Sequence, residues 1–316
     1  MLVGGKLMIT VTLNPSIDRR YNIKNFERGK VFRADGFQYT PGGKGLNVAK
    51  IIKTLNEPVI ATGFLGGRSG SYIEEKLDEM NIRHNFVSID GETRSCLAII
   101  SDDGSQTEIL ESGPLISQKD MQRFYKLYEE LIRQHEIICI SGSMPKDVHI
   151  ETYKNLIETA NRQGKKILLD TSGEALKKGM EARPYLIKPN KEELENLIGN
   201  VISTEEDIIK AVSPMIKEGI NIVAVSLGRE GCLVFNDNYM YRVRTPKVKA
   251  VNPVGSGDAM ISGFAVSLKR NYEFENMLKL ATACGTANAL EEETGKVDVN
   301  NINRLIEDII IKKIKL

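Results

Sequence analysis

Residues 251–260 read VNPVGSGDAM. Gly255, Ser256 and Gly257 stand directly ahead of Asp258, and DAMISGFAVSLKR then carries a helical pattern. Glycines let the backbone turn sharply and present its N–H groups. The first turn of a helix leaves N–H donors unpaired and carries positive partial charge. The turn at 255–258 is therefore a candidate anion site. A carboxylate at such a turn opposes simple anion binding. It suits a reaction in which Asp258 accepts a proton from a hydroxyl that attacks a phosphoryl group held by the turn. An N-cap aspartate in a tight turn explains the same residues without chemistry.

Four further stretches carry groups suited to such a reaction. TPGGKGLNVAK (40–50) places Gly42 and Gly43 ahead of a second helix, with Lys44 as a point charge for a phosphate. Asn47, in the same stretch, offers donor and acceptor to hydroxyls. TLNPSIDRRY (12–21) leaves Asp18 just past a strand, as an acceptor for sugar hydroxyls. IKPNKEEL (187–194) gathers Lys188, Asn190 and Glu193 where a strand meets a helix. A capping box of Glu193 on Asn190 accounts equally for that pair. VSLGREG (225–231) ends a strand at Ser226 and Leu227 with Gly228 and Gly231, consistent with backbone close to a nucleotide or with an ordinary left-handed turn.

Two known phosphate motifs compete and fit poorly. GSGDAM begins like the dinucleotide fingerprint G-x-G-x-x-G, but Met260 replaces the third glycine and the downstream Glu275 follows a helix rather than a strand. The G-x-x-x-x-G-K-[ST] loop is also absent. Gly43-Lys44 is followed by Gly45, and Gln38 stands where the first glycine belongs.

The elements that must position these groups alternate. MITVTL, VIATGF, IICIS, KILLD, YLIKP and NIVAVSL read as short apolar strands separated by helices such as GLNVAKIIKTL and YIEEKLDEM. That order predicts a parallel sheet covered on both faces. KVKAV, ahead of the glycine turn, reads as a further strand. Two stretches, 17–40 and 84–112, are half-polar and broken by turns, and predict a small antiparallel sheet projecting as a lid. The expected organisation is one domain over 8–316, with Met8 opening the first strand and 1–7 as an extension.

Composition narrows the function further. The chain has 316 residues and a formal net charge of +1, without a basic footprint for nucleic acid. No apolar run reaches the roughly 18 residues of a membrane helix, and MLVGGKL is too short for a secretory signal. The expected setting is cytoplasmic, with no membrane partner. Four separated cysteines read as small core residues, and the three histidines have no metal-ligand spacing.

Taken in order, PGGKGLN, KPNKEEL, SLGREG and NPVGSGD resemble the ribokinase-like carbohydrate kinases of the phosphofructokinase-B family. The resemblance runs along nearly the whole chain from Met8. It implies an α/β three-layer sandwich with a mostly parallel central sheet and a β lid. It also implies ATP, Mg²⁺ and phosphoryl transfer to a sugar hydroxymethyl group. By motif, Asp258 matches the catalytic base and Gly255, Ser256 and Gly257 the anion hole. Lys188, Ser226, Leu227, Gly228, Gly231 and the region of Ala287 and Asn288 match the ATP site. Asn190 and Glu193 match residues that organise Mg²⁺ through water, with no direct protein ligand assigned.

Within the family, NPSID, PGGKGLN and the lid segment GETRSC resemble the kinases of already phosphorylated ketohexoses. Asp18, Gly42, Gly43, Lys44, Asn47, Arg94 and Arg33 then fall on the sugar-phosphate side, with Arg94, Lys44 and Arg33 on the existing phosphate. The subgroup also implies a homodimer through the lid. Tagatose-6-phosphate is the favoured substrate, with fructose-1-phosphate and then fructose-6-phosphate as alternatives. A silent sugar-phosphate or nucleotide sensor on the same fold is the non-enzyme alternative.

Overall fold

The computed structural model describes residues 8–316; the expected extension at 1–7 lies outside the described residues. The main sheet has ten strands. From one edge to the other they are β14 (Ile310–Lys315), β13 (Tyr239–Arg244), β12 (Cys232–Phe235), β11 (Ile222–Ser226), β10 (Leu186–Ile187), β9 (Lys166–Asp170), β8 (Ile137–Ser141), β1 (Met8–Thr12), β4 (Val59–Gly66) and β5 (Arg83–Ile89). The pairings from β5 through β11 are parallel, and β12, β13 and β14 add antiparallel ribbons. A four-stranded sheet stands apart: β3 (Gly36–Gly42), β2 (Ser16–Ile23), β6 (Arg94–Ser101) and β7 (Gln106–Leu110).

The helices are α1 (Lys44–Thr54), α2 (Gly67–Glu79), α3 (Gln118–Gln134), α4 (Thr152–Asn161), α5 (Gly173–Glu181), α6 (Lys191–Ile198), α7 (Glu205–Lys217), α8 (Ser256–Lys269), α9 (Phe274–Asn288) and α10 (Val299–Asp308). Two separate buried clusters result. One packs α1, α2, α8, α9 and α10 on one face of the sheet; the other packs α3 to α7 on the opposite face. Strands buried on both sides explain the uninterrupted apolar runs IICIS and IVAVS.

Strand order reverses at β1, which lies between β4 and β8. In open α/β sheets the crevice beyond the carboxyl ends of the strands at such a point is the usual binding site. Here the chain leaving β1, β8, β9, β10 and β11 at that edge supplies Asn14, Ser143, Thr171, Lys188 and Ser226 to one cleft of about 780 Å³.

Three expectations need correction. The segment HNFVSI belongs to the main sheet as β5, parallel to β4, so the second lid stretch starts at Arg94 and not at residue 84. β5 is an edge strand whose residues alternate between buried or half-buried and exposed, a pattern that a lid strand would share. The lid is mixed rather than antiparallel, since β2 runs parallel to β6. KVKAV forms no strand.

Register gives the lid two unlike faces. Asp18 pairs with Thr40 and Cys96, and Arg20 with Gln38 and Ala98, on the side that lines the cleft. Tyr21, Phe37, Tyr39 and Ile109 lie on the other side, where Phe37 is 70% and Ile109 58% exposed.

Helix α1 reaches β1 closely because Gly45 has no side chain. A Cβ there would stand 2.2 Å from Thr12 Oγ1 and 2.8 Å from the Val11 carbonyl oxygen. Gly45→Ala must push α1 off the sheet, and with it Lys44 and Asn47. The expected cost is about 1–3 kcal/mol of stability, as for other overpacked sites. Denaturant unfolding checks this; an unchanged midpoint would show that the helix seats without the glycine.

Candidate active site

Helix α8 begins with Gly255 as N-cap in the left-handed region, at φ 84°. A Cβ there would meet Thr294 Cγ2 at 2.6 Å and the Gly295 nitrogen at 3.3 Å. Both the dihedral and the space require glycine. A Cβ on Gly257 would lie 2.9 Å from Lys188 Nζ. Ser256 Oγ is buried and has no hydrogen-bond partner among the described residues. Asp258 follows in the first turn, buried, with Oδ2 accepting from Asn47 Nδ2 at 2.9 Å. The pairing, between residues 211 positions apart, brings together the two glycine-led helix starts.

Beside Asp258 stands a group that the motifs do not mark. Asp170, at the end of β9, is 1% exposed. Its Oδ2 lies 3.5 Å from Lys44 Nζ and its Oδ1 3.3 Å from Lys188 Nζ. Burial alone would push the Asp170 carboxyl up, but the two ammonium groups outweigh it and hold the carboxyl below its ordinary value. Asp170 in turn raises Lys44 well above the ordinary lysine value. An acidic residue closing an apolar strand, KILLD, was the available signal.

Asp258 moves the other way. Burial pushes its carboxyl up to about 6, and the Asp170 charge adds to the rise; Lys44, the Asn47 hydrogen bond and Lys188 act against it. A carboxylate poised near neutrality is suited to general-base work.

Opposite this cluster, Asp18 accepts from Ser16 Oγ at 2.7 Å, and burial raises its carboxyl. Gly42 makes room for it: a Cβ there would stand 2.0 Å from Asp18 Oδ1. Gly43 caps α1 at φ 102°. Arg94 lines the cleft and gives Nε and Nη2 to the Asn14 carbonyl, at 3.2 and 3.0 Å, and Nη1 to that of Glu111 at 2.9 Å. It is fixed at the lid root with N–H donors to spare.

Several expected residues stand elsewhere. Arg33 is exposed on the link between β2 and β3 and does not line the cleft. Lys44, expected on the sugar's own phosphate, faces Asp170 at the base of the cleft. Asn288 is fully buried behind the glycine turn: it donates to the Val254 carbonyl at 2.8 Å and accepts from the Gly295 nitrogen at 3.0 Å. It braces the turn and does not line the cleft. Ala287 is likewise buried inside α9. Gly231 serves close strand packing, since its Cβ would come within 2.1 Å of the Val243 oxygen. Ser226 lines the cleft, while Leu227 and Gly228 line a neighbouring hollow that also includes Asn190 and Ser226.

Asn190 and Glu193 form a full capping box on α6: each backbone N–H is bound by the other's side chain at 2.8 Å. Both also line the cleft. The cap uses Glu193 Oε2 and leaves Oε1 outside it. Among the described residues, no group of three or more His, Cys, Asp or Glu side chains is placed to hold a metal. This donor set fits Mg²⁺ held through water and phosphate oxygens, the usual arrangement for that ion. No helix among the described residues is long and apolar enough to cross a membrane.

The cleft at the strand-order reversal carries a glycine turn, a raised aspartate and two lysines at its base and lies under a β lid. Residues 7–300 match the pfkB family of carbohydrate kinases, and the chain belongs to that family. It is an ATP-dependent sugar kinase. Phosphofructokinase-2 from Escherichia coli, solved with fructose-6-phosphate, is similar at 27% identity, with 96% of this chain and 98% of that one covered and a TM-score of 0.87. The tetrameric inhibited form of the same protein gives 28%, 96% and 99%, and 0.88. A protein of Thermotoga maritima described as a possible 1-phosphofructokinase gives 26%, 98% and 100%, and 0.89.

The raised Asp258 carboxyl has a stability consequence. A carboxyl that titrates at 3.8 when unfolded and near 6 when folded costs stability once ionised. The cost is absent well below pH 4, grows as pH rises, and is complete above about pH 6 to 7. Asp258→Asn should therefore melt above the wild type at pH 8, with the gap closing as pH falls towards 4. Equal melting curves at pH 8 would show that Asp258 is not strained by burial.

Proposed function

We propose that this kinase transfers the γ-phosphoryl group of ATP to a free hydroxymethyl group of a ketohexose phosphate and forms a 1,6-bisphosphate. The observation that carries the reading is the position of Asp258 in the first turn of α8, between the polar face of the lid and the Lys44–Asp170–Lys188 cluster. The sugar hydroxyl gives its proton to an Asp258 carboxylate oxygen. Its oxygen then bonds to phosphorus as the bond to the ADP oxygen breaks. The N–H groups of the turn at 255–257 bind the phosphoryl oxygens, and Lys44 and Lys188 offset their charge. Mg²⁺, when bound, supplies further neutralisation of the phosphates, and Asn190 and Glu193 would hold it through water.

Asp18 and Asn47 are assigned to sugar hydroxyls, and Arg94 to the phosphate the sugar already carries. Lys44 moves to the group in transfer, because Asp170 holds it there. Ser226 is assigned to the nucleotide side, with Leu227 and Gly228 at its margin. The exposed apolar lid face around Phe37 and Ile109 supports a homodimer through the lid.

A ketofuranose carries CH₂O groups on both carbons beside the ring oxygen. One pocket can therefore hold a phosphate at either end and present the other end to Asp258. Tagatose-6-phosphate is the favoured substrate, because SIDGETRSCLAII, TEILESGP and VNPVGSGD resemble the tagatose-6-phosphate kinases. The likeness to phosphofructokinase structures favours fructose-1-phosphate or fructose-6-phosphate as the second reading.

Turnover by Asp258→Asn should fall about 10²–10⁴-fold with the fold retained, the usual loss on removing a general base. A coupled ADP-release assay reads it, and a near wild-type rate would remove Asp258 from the role. Arg94→Ala should raise KM for the sugar phosphate about ten- to a hundredfold, the worth of a charge-assisted contact, and leave KM for ATP nearly constant. A rise confined to ATP would place the two ends of the cleft in reverse. Comparing kcat/KM for the three sugar phosphates at fixed MgATP decides the substrate. The highest value is expected for tagatose-6-phosphate; a clear preference for fructose-1-phosphate would overturn that choice and leave the reaction type standing.

A further inference from the structure

We propose that Lys50 is a positioning residue whose buried ammonium ties the root of the lid to the loop bracing the glycine turn, and so sets that turn against the sugar side of the cleft. The proposal rests on the reading of Asp258 and its turn as the transfer centre.

Lysine is rarely buried without a partner. Lys50 lies in α1 among Val48, Ala49, Ile51 and Ile52, all fully buried, and is itself 7% exposed. Its partners are two main-chain carbonyls rather than a carboxylate. Nζ donates to Pro41 at 3.1 Å and to Thr294 at 3.0 Å. Pro41 is the penultimate residue of lid strand β3, next to the Gly42 that admits Asp18. Thr294 belongs to the loop EEETG at 291–295, which follows α9. One Nζ thus joins two segments that lie far apart in the sequence.

That loop touches the glycine turn and the lid at once. Towards the turn, Thr294 Cγ2 occupies the space where a Gly255 Cβ would be, and the Gly295 nitrogen donates to Asn288, which in turn donates to the Val254 carbonyl. Asn252 Nδ2 adds a bond to the Glu292 carbonyl at 3.0 Å. Towards the lid, Arg20 Nη1 donates to the Glu292 carbonyl and Gln38 Nε2 to Glu293 Oε2, the latter at 3.2 Å. Both lid residues lie on the cleft-facing side, with Asp18. Gly295 presses on the tether itself: a Cβ there would meet Asn47 Oδ1 at 2.6 Å and Lys50 Cε at 2.8 Å.

The charge of Lys50 also bears on the candidate base. Burial lowers Lys50 below the ordinary lysine value, and Glu293, Asp18 and Asp258 act against that shift. When protonated, Lys50 favours the ionised form of Asp258 in return, as Lys44 and Lys188 do, while Asp170 opposes it.

The test is Lys50→Met, which keeps the length and apolar stem but loses the donors and the charge. Hydrogen exchange on the ligand-free protein should be about tenfold faster in peptides spanning 250–258 and 290–297, while those of β8 and β11 are unchanged. Turnover should fall about ten- to a hundredfold, since a displacement on the order of 1 Å at a reacting centre has that effect. KM for ATP should change far less. The acid limb of the kcat profile should move to higher pH, because Asp258 loses a neighbouring positive charge. Unchanged exchange in both peptides would overturn the proposal. So would a uniform rise across the sheet, which marks ordinary core support. If Lys50→Met does not fold, Lys50→Gln, neutral and too short to span both carbonyls, is read in the same way. The exchange result decides the tether even if no sugar phosphate is turned over, an outcome that would instead count against the proposed substrate class.

Discussion

The site is organised around the burial of a negative charge. Asp258 is removed from water at the base of the cleft, where an ionised carboxyl is costly. What makes the charge tolerable is arranged within a few ångströms: the Asn47 amide, the start of α8 and two ammonium groups. Those ammonium groups are themselves kept in place by a second buried carboxylate, Asp170. The outcome is a balance rather than a neutral pair. Asp258 is held near neutrality, while Asp170, flanked on both sides, stays ionised. Two carboxyls at the base of one cleft are driven apart in acidity by their neighbours, and this separates the proposed proton acceptor from a structural charge.

The fold serves that balance through its strand ends. The segments leaving β9 and β10 carry Asp170 and Lys188, while α1, which returns from the lid, carries Lys44 and Asn47. Because β9 and β10 are neighbours in the sheet, their last residues converge without any long loop. Glycine is the common device at the approaches. Gly45 lets α1 sit on β1, Gly42 admits the Asp18 carboxylate, and Gly255 and Gly257 admit Thr294 and Lys188. A side chain at any of these would hold two elements of the site apart.

The lid has two environments because successive residues of a strand point to opposite sides of the sheet. Its cleft-facing side carries Asp18, Arg20 and Gln38; its outer side carries aromatic and aliphatic groups open to solvent. The loop at 291–295 links this lid to the glycine turn through main-chain carbonyls, which lack a side-chain signature. The lid and the glycine turn therefore share one segment.

The sequence alone was sufficient for what is local. Alternating apolar runs and helices predicted the parallel sheet, and glycines ahead of Asp258 and Lys44 marked both helix starts at the base of the cleft. The Asn190–Glu193 capping box was also legible, since its partners lie three residues apart. Resemblance of ordered motifs then indicated the family. Other features depended on the tertiary structure. HNFVSI reads as a lid strand because an edge strand and a lid strand share one alternation, and only pairing with β4 separates them. Asp170 and Lys50 look like a strand end and an interruption in a helix until distant segments bring Lys188 to the one and Thr294 to the other. Asn288 and Gly231 matched a ligand site by motif, yet they brace neighbouring backbone. Motif and periodicity report what a residue can do; which partner it meets is set by packing between segments tens to hundreds of residues apart.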